Sequence, residues 1–348
     1  MKELLTVILL GFFSLELFAA EVLQCSVDPI VPLSYRRIGI DQTVSEIKKI
    51  KSQTSIHRFI LTGPEFNSVM FGPFSDDLYS KMADDISSIR EKLNDEDVEI
   101  SWWCSPSIRY TSKFSPIVDS EGRQSEDNKK CPFYEDFASD FASKIKAVAK
   151  SRPKIINIED DFTLSWGRGL GRSGPCYCKK HLKAFATLYG KALSAKEIDD
   201  AFKNRTPENL KIRQAFAESI RQSLVFIAAK VRAAVDEVDP TIRIMLCQSP
   251  GIIKDGDALV PVLRAFAGNT RAAVRPSGAI YGAETTPADI PRALSYTLWT
   301  LEHLPPDIET FYEADVYPHN RFFSSASQLM SLMAGAQMMG CDNHLLYA

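Results

Sequence analysis

The sequence predicts a (β/α)8 barrel, an α/β fold of eight parallel strands alternating with helices, on three observations. Short β-branched runs alternate with helix-period segments along the whole chain, the pattern of a parallel α/β fold and not of a sandwich. Eight strand candidates fit within the 348 residues, and a barrel needs about 250 residues plus insertions. Acids close the fourth and seventh runs, where a barrel enzyme presents its chemistry. A doubly wound open sheet is the other arrangement, but no glycine-rich dinucleotide fingerprint follows any strand.

The first strand falls within 22–37, where Pro29 and Pro32 blur its limits, and a helix carrying Val44, Ile47 and Ile50 follows. The second strand, Ile56 to Thr62, stops at Gly63-Pro64, and the next helix places Leu78, Met82, Ile86, Ile89 and Leu93 on one face. Strand three, Val98 to Cys104, holds Trp102-Trp103 and opens into a polar loop of about two dozen residues, a length usually kept for function. Phe133, Phe137, Phe141, Ile145 and Val148 mark the helix leading to strand four, Lys154 to Phe162. Alternation there puts Asn157, Glu159 and Asp161 on one face and Ile156, Ile158 and Asp160 on the other. An insertion around 165–210 precedes a long helix running from Ile212 past Val238, which Asp239-Pro240 stops. Strands five to seven are Ile242 to Cys247, a stretch within 272–281, and Ile308 to Val316. A Met-rich helix, Ser324 to Met339, leads into an eighth run, His344 to Ala348, so the barrel reads as truncated in or after strand eight.

The first 20 residues carry Lys2, an apolar run from Leu4 to Phe18 and Ala19-Ala20, and read as a secretory signal peptide. The barrel would then occupy 21–348, secreted or periplasmic, with no membrane in its mature form. The run is short for a spanning helix; Glu16 and a weak basic start leave an uncleaved anchor as the alternative. A net charge of −3, from 41 basic and 44 acidic residues well mixed, gives no footprint for nucleic acid. Small or polar substrates stay open, as does a homo-oligomer.

Glycoside hydrolysis needs one carboxyl group as proton donor to the leaving oxygen and a second as nucleophile or base. Asp160 or Asp161, with Glu313, fits that need across a barrel mouth. Ile158-Glu-Asp-Asp161 is similar to the Ile-Asp-Asn-Glu run of the family 42 β-galactosidases, among the clan A retaining glycosidases. The resemblance implies Asp161 as acid/base, Asp160 in the place of the preceding Asn, and Glu313 as nucleophile. The family has Asn-Glu where this chain has Asp-Asp. That departure leaves either Asp as donor and resembles divergent relatives that cleave β-mannosides, so galactoside specificity does not carry over. An oligo- or polysaccharide substrate and no organic cofactor follow. The rival readings are a catalytically silent carbohydrate-binding barrel and a metal-dependent hydrolase; the five histidines, none at an H-x-H or H-E-x-x-H spacing, disfavour the latter.

Cys176-Tyr-Cys178-Lys-Lys-His181, with Cys131 upstream, offers the four soft ligands of a tetrahedral zinc. Some family 42 members bind zinc in this region, and the resemblance implies a structural metal. A disulfide from Cys131 to Cys176 or Cys178 is the alternative. Trp103 is a candidate sugar platform, Tyr281 matches where clan A barrels place a tyrosine near the nucleophile, and His319 and Arg321 follow Glu313 closely enough to line the mouth.

Overall fold

A computed structural model describes residues 28–64, 75–94, 97–105, 107–109, 114–124, 128–165, 175–249, 251–278, 288–315 and 324–347. Eight parallel strands close into a barrel in sequence order: β1 (Ile30–Leu33), β2 (Arg58–Pro64), β3 (Glu99–Ser105), β4 (Ile155–Ile158), β5 (Arg243–Cys247), β6 (Ala273–Arg275), β7 (Glu309–Ala314) and β8 (Asn343–Leu346). β1 pairs with both β2 and β8, which completes the ring and rules out the open sheet.

Around the barrel stand α1 (Tyr35–Ile38), α2 (Ile40–Gln53), α3 (Asp76–Leu93), α4 (Glu135–Ala149), α5 (Lys179–Tyr189), α6 (Ala195–Asp200), α7 (Pro207–Asp236), α8 (Gly251–Lys254), α9 (Leu259–Ala267), α10 (Asp289–Glu302) and α11 (Ala326–Met338). Local chemistry sets their starts. Ser194 and Glu197 form a capping box at α6, and the Thr206 side chain accepts from Asn209 N–H at α7, which has Pro207 in its first turn. None of the described helices is long and apolar enough to cross a membrane.

Two apolar layers fix the direction of each strand's side chains. Ile30, Ile60, Trp103, Ile155, Met245, Cys247, Ala273, Phe311 and Leu345 fill the barrel interior. Trp102, Ile156, Ile158, Leu246 and Val274 face the helices instead. A residue one step beyond an interior residue therefore points outward, and two steps beyond points to the axis. That parity carries Arg275 and Glu313 inward, two residues after Ala273 and Phe311.

Candidate active site

β4 stops at Ile158, and the acids that follow it lie in a turn. Phe162 N–H donates to the Glu159 carbonyl at 3.3 Å and Thr163 N–H to the Asp161 carbonyl at 2.8 Å, which curls the chain before the period-two alternation can reach Asp161. The expected sharing of one face by Asn157, Glu159 and Asp161 is thereby corrected: Glu159 keeps the inward phase, while Asp160 and Asp161 are placed by the turn.

Asp160 and Glu313 meet at one guanidinium. Arg275, at the end of β6 and buried, pairs with Glu313 through Nη1 and lies 3.9 Å from Asp160 through Nη2. Burial pushes the Asp160 carboxyl up to about 6; Arg275 opposes the rise and the charge of Glu313 adds to it. Glu313 also accepts from the backbone N–H of Gly278 at 3.3 Å. The Gly278 carbonyl in turn accepts from the Tyr312 hydroxyl at 3.1 Å, so the chain after β6 is tied to β7 on both sides of the carboxylate. A methyl group at Gly278 would stand 2.2 Å from Thr297 Oγ1 and 3.0 Å from the Tyr312 ring. Gly278→Ala is expected to lose about 1 to 3 kcal/mol and to displace the donor from Glu313, read by urea unfolding beside the pH dependence of ligand binding.

Asp161 faces a different way. Its Oδ1 accepts from the Ser107 backbone N–H at 3.0 Å and from the Ser107 hydroxyl, which fastens the start of the β3 loop to the end of β4. It is 2% exposed, and burial raises its carboxyl against the hydrogen bonds of Ser107 and the charges of Arg109 and Lys129. Beneath it the fully buried Lys129 donates from Nζ to the Thr163 carbonyl at 2.6 Å. Asp255, also fully buried, accepts from the Thr163 hydroxyl at 2.6 Å and from Leu164 N–H at 2.7 Å. These groups form a clamp around the turn that presents Asp160.

Trp103 points inward, as alternation requires, but it is 1% exposed and packs within the interior layer, edge-on to Tyr347 at 5.6 Å between ring centroids. Its ring packs in the barrel interior. Tyr281, His319 and Arg321 lie outside the described residues. Arg275, Gly278, Lys129 and Asp255 had no distinguishing mark in the sequence. Arg275 could have been found from strand parity alone, since it is an arginine on the inward phase of a barrel strand.

The cysteine cluster assembles. Cys131, Cys176, Cys178 and His181 are all buried, with their ligand atoms within 4.8 Å of one another. Cys131 Sγ lies 3.5 Å from Cys178 Sγ and 3.5 Å from His181 Nδ1, and Cys178 Sγ lies 3.3 Å from His181 Nδ1. Ligands of a tetrahedral zinc stand about 3.5 to 3.8 Å apart, whereas a disulfide brings sulfurs to about 2.05 Å. The observed separations match the first, and none of the described cysteines is in a disulfide. Cys178 caps the N-terminus of α5 and His181 sits in its first turn, so one short element supplies two ligands at fixed spacing. Hydrogen bonds from Cys131, Cys176 and His181 hold the Cys178 thiol far below its usual range, the state a metal needs. The cluster can hold a metal ion. It joins two loops: the β3 loop, a small antiparallel ribbon bridged at Arg109–Lys129 and Pro116–Lys130, and the segment at 176–178, whose Tyr177 N–H donates to the Val118 carbonyl at 2.8 Å.

Carboxylates gathered inside the carboxyl-end mouth of a closed barrel define the general class: a (β/α)8 barrel with its polar centre where such folds carry their sites. No family model and no curated protein matches the chain. Among solved structures it is similar to the glycoside hydrolase domain of PgaB (BpsB) from Bordetella bronchiseptica, with a TM-score of 0.61 and 12% identity over 93% of this chain and 94% of that one. It is similar also to the β-galactosidase of the psychrophilic Marinomonas ef1, with a TM-score of 0.60 and 11% identity, covering 92% of this chain and 54% of the other. The chain thus spans about half the length of that enzyme, and at such identities the likeness is one of fold.

Proposed function

We propose that this protein is an exported retaining glycoside hydrolase acting on β-linked sugars of galactoside or mannoside type within an oligo- or polysaccharide. The observation that carries this reading is the convergence of Asp160 and Glu313 on the single guanidinium of Arg275, one carboxyl group from the end of β4 and the other from β7. Glu313 would attack the anomeric carbon as the glycosidic bond breaks, forming a glycosyl ester, while Asp160 gives its proton to the leaving oxygen. Water then attacks the anomeric carbon of the ester, Asp160 takes that water's proton, and the bond from the anomeric carbon to Glu313 breaks to release the carboxylate. A carboxyl raised to about 6 can hold a proton for the first step and accept one in the second. The fold likeness to two glycoside hydrolases supports the class. The motif resemblance supports the family 42 relationship, and the apolar leader supports export.

The cluster of Cys131, Cys176, Cys178 and His181 is assigned to a structural zinc. All four ligands come from the protein, so the metal would brace the two loops and take no part in the reaction.

The Arg275–Glu313 pair also favours a second reading, a carbohydrate-binding barrel without turnover, because a carboxylate neutralised by a guanidinium is a weaker nucleophile. Hydrolysis of a panel of aryl β-glycosides by wild type and Glu313→Gln separates the two. Turnover lost by more than about 1,000-fold in the variant supports the hydrolase; sugar binding with no cleavage by wild type supports the binding barrel.

A further inference from the structure

A third carboxyl group stands at this site with no role in the reaction as written. Glu159 continues the inward phase of β4 after Ile155 and Asn157, so its side chain points to the barrel axis, above the layer that contains Cys247. It is 6% exposed. Its Oε1 accepts from the Asp160 backbone N–H at 3.0 Å, while its Oε2 has no hydrogen-bond partner among the described residues. Asn157 Oδ1, one step lower on the same face, is likewise buried and unmatched. No cation among the described residues forms an ion pair with Glu159; the nearby guanidinium of Arg275 is engaged by Glu313 and Asp160.

A buried carboxylate with one hydrogen bond, two acidic neighbours and a nearby guanidinium already shared by two other carboxyl groups is among the most costly groups to bury, and such a group keeps its proton instead. The groups facing it are Asp160 and Asp161 on its own turn, Cys104 on β3, Cys247 on β5 and Arg275 on β6; four of these five are acidic or neutral. Burial, followed by the charge of Asp160, holds the Glu159 carboxyl well above the usual range, against Arg275. A neutral carboxylic acid has one O–H to give. Asp160 is the proton donor of the reaction, and the Glu159 side chain, on the inward phase of β4, keeps a buried and unmatched Oε2 on the side of the axis where Asp160 and Glu313 converge.

We infer that Glu159 is a neutral substrate-binding acid: through Oε1 it sets the backbone of Asp160, and through its Oε2–H it donates a hydrogen bond to an oxygen of the bound sugar. The inference rests on the hydrolase reading for its ligand, but the protonation state can be tested without turnover.

The test uses Glu159→Gln, which keeps a neutral donor of the same shape, beside Glu159→Leu, which keeps bulk and removes the donor. With the best glycoside of the panel, Gln is expected to lower kcat/KM by at most about tenfold and to leave the alkaline limb of the pH profile where wild type has it. Leu is expected to lower kcat/KM by about 100-fold or more, chiefly through KM. A Gln variant as inactive as Asp160→Asn would overturn the inference, since Glu159 would then have to ionise. Independently, the infrared difference spectrum of wild type minus Glu159→Gln at pH 7 should contain the carbonyl stretch of a protonated carboxylic acid. Its absence at pH 7 would overturn the inference even if no glycoside is cleaved. Its presence in a protein that cleaves nothing would leave Glu159 as a neutral donor to a bound sugar and count against the hydrolase reading alone.

Discussion

Asp160→Asn should abolish glycoside cleavage, by about 1,000-fold or more, and at the same time make the protein more stable than wild type above pH 6. The two effects have one cause. The folded protein raises the Asp160 carboxyl from an unfolded value of 3.8 to about 6, so between those values the folded state binds more protons than the unfolded chain. Stability conferred by the neutral carboxyl is then complete below about pH 4 and lost as pH rises through 6. The side chain is 29% exposed, which screens the effect, and the expected step is about 2 kcal/mol. Asparagine mimics the protonated form and has no such step. Urea unfolding at pH 4 and pH 7.5 should show the two proteins equal at the lower pH and the variant ahead at the higher one. Asp161 should behave in the opposite manner. Asp161→Asn keeps an oxygen for Ser107 and should retain turnover within about 100-fold, whereas Asp161→Ala leaves the buried Ser107 donors unmatched and should lose about 2 to 3 kcal/mol. Loss of turnover in Asp161→Asn with turnover kept in Asp160→Asn would restore the assignment that the Asn-Glu motif implies.

That contrast marks how far the sequence could be read. The eight strands were legible because short apolar runs alternate with helix-period segments along the chain, and alternation sends Trp103 inward. Parity failed at Asp161, because the chain leaves the strand in a turn closed by Phe162 N–H to the Glu159 carbonyl and Thr163 N–H to the Asp161 carbonyl, and the Asp161 side chain is then held by Ser107, 54 positions before it. For Trp103 alternation gives the direction, but its height in the barrel, which decides between packing and ligand contact, depends on strand stagger and has no local sequence signal. Parity marks Arg275 as an arginine on the inward phase of β6, but which acids face it needed the tertiary structure. The cysteine cluster was legible because three ligands lie within six residues and fold onto one helix start; only the placing of Cys131 beside them needed the tertiary structure.

Removing the proposed structural zinc should be the most damaging single change outside the carboxyls assigned to the reaction. The cluster joins the β3 ribbon to the segment leading into α5, and the backbone bond between them among the described residues is Tyr177 N–H to the Val118 carbonyl. Because a site of this kind does not exist in the unfolded chain, the free energy of binding adds directly to folding, and a structural zinc contributes several kcal/mol. Without it, Cys131, Cys178 and His181 would remain crowded and buried with no common partner. The ribbon starts at Ser107, which holds Asp161, and Lys129 on its returning strand holds the Thr163 carbonyl. Loosening it therefore reaches the turn that presents Asp160. Purified protein should contain one zinc per chain by elemental analysis. Treatment with a strong chelator, or Cys178→Ala, should lower the melting temperature by about 10 °C or more and reduce turnover with it. A reductant alone should do neither. If the reductant destabilises the protein and the chelator leaves it unchanged, the sulfurs are joined to each other, and the loops are braced by a disulfide in place of an ion.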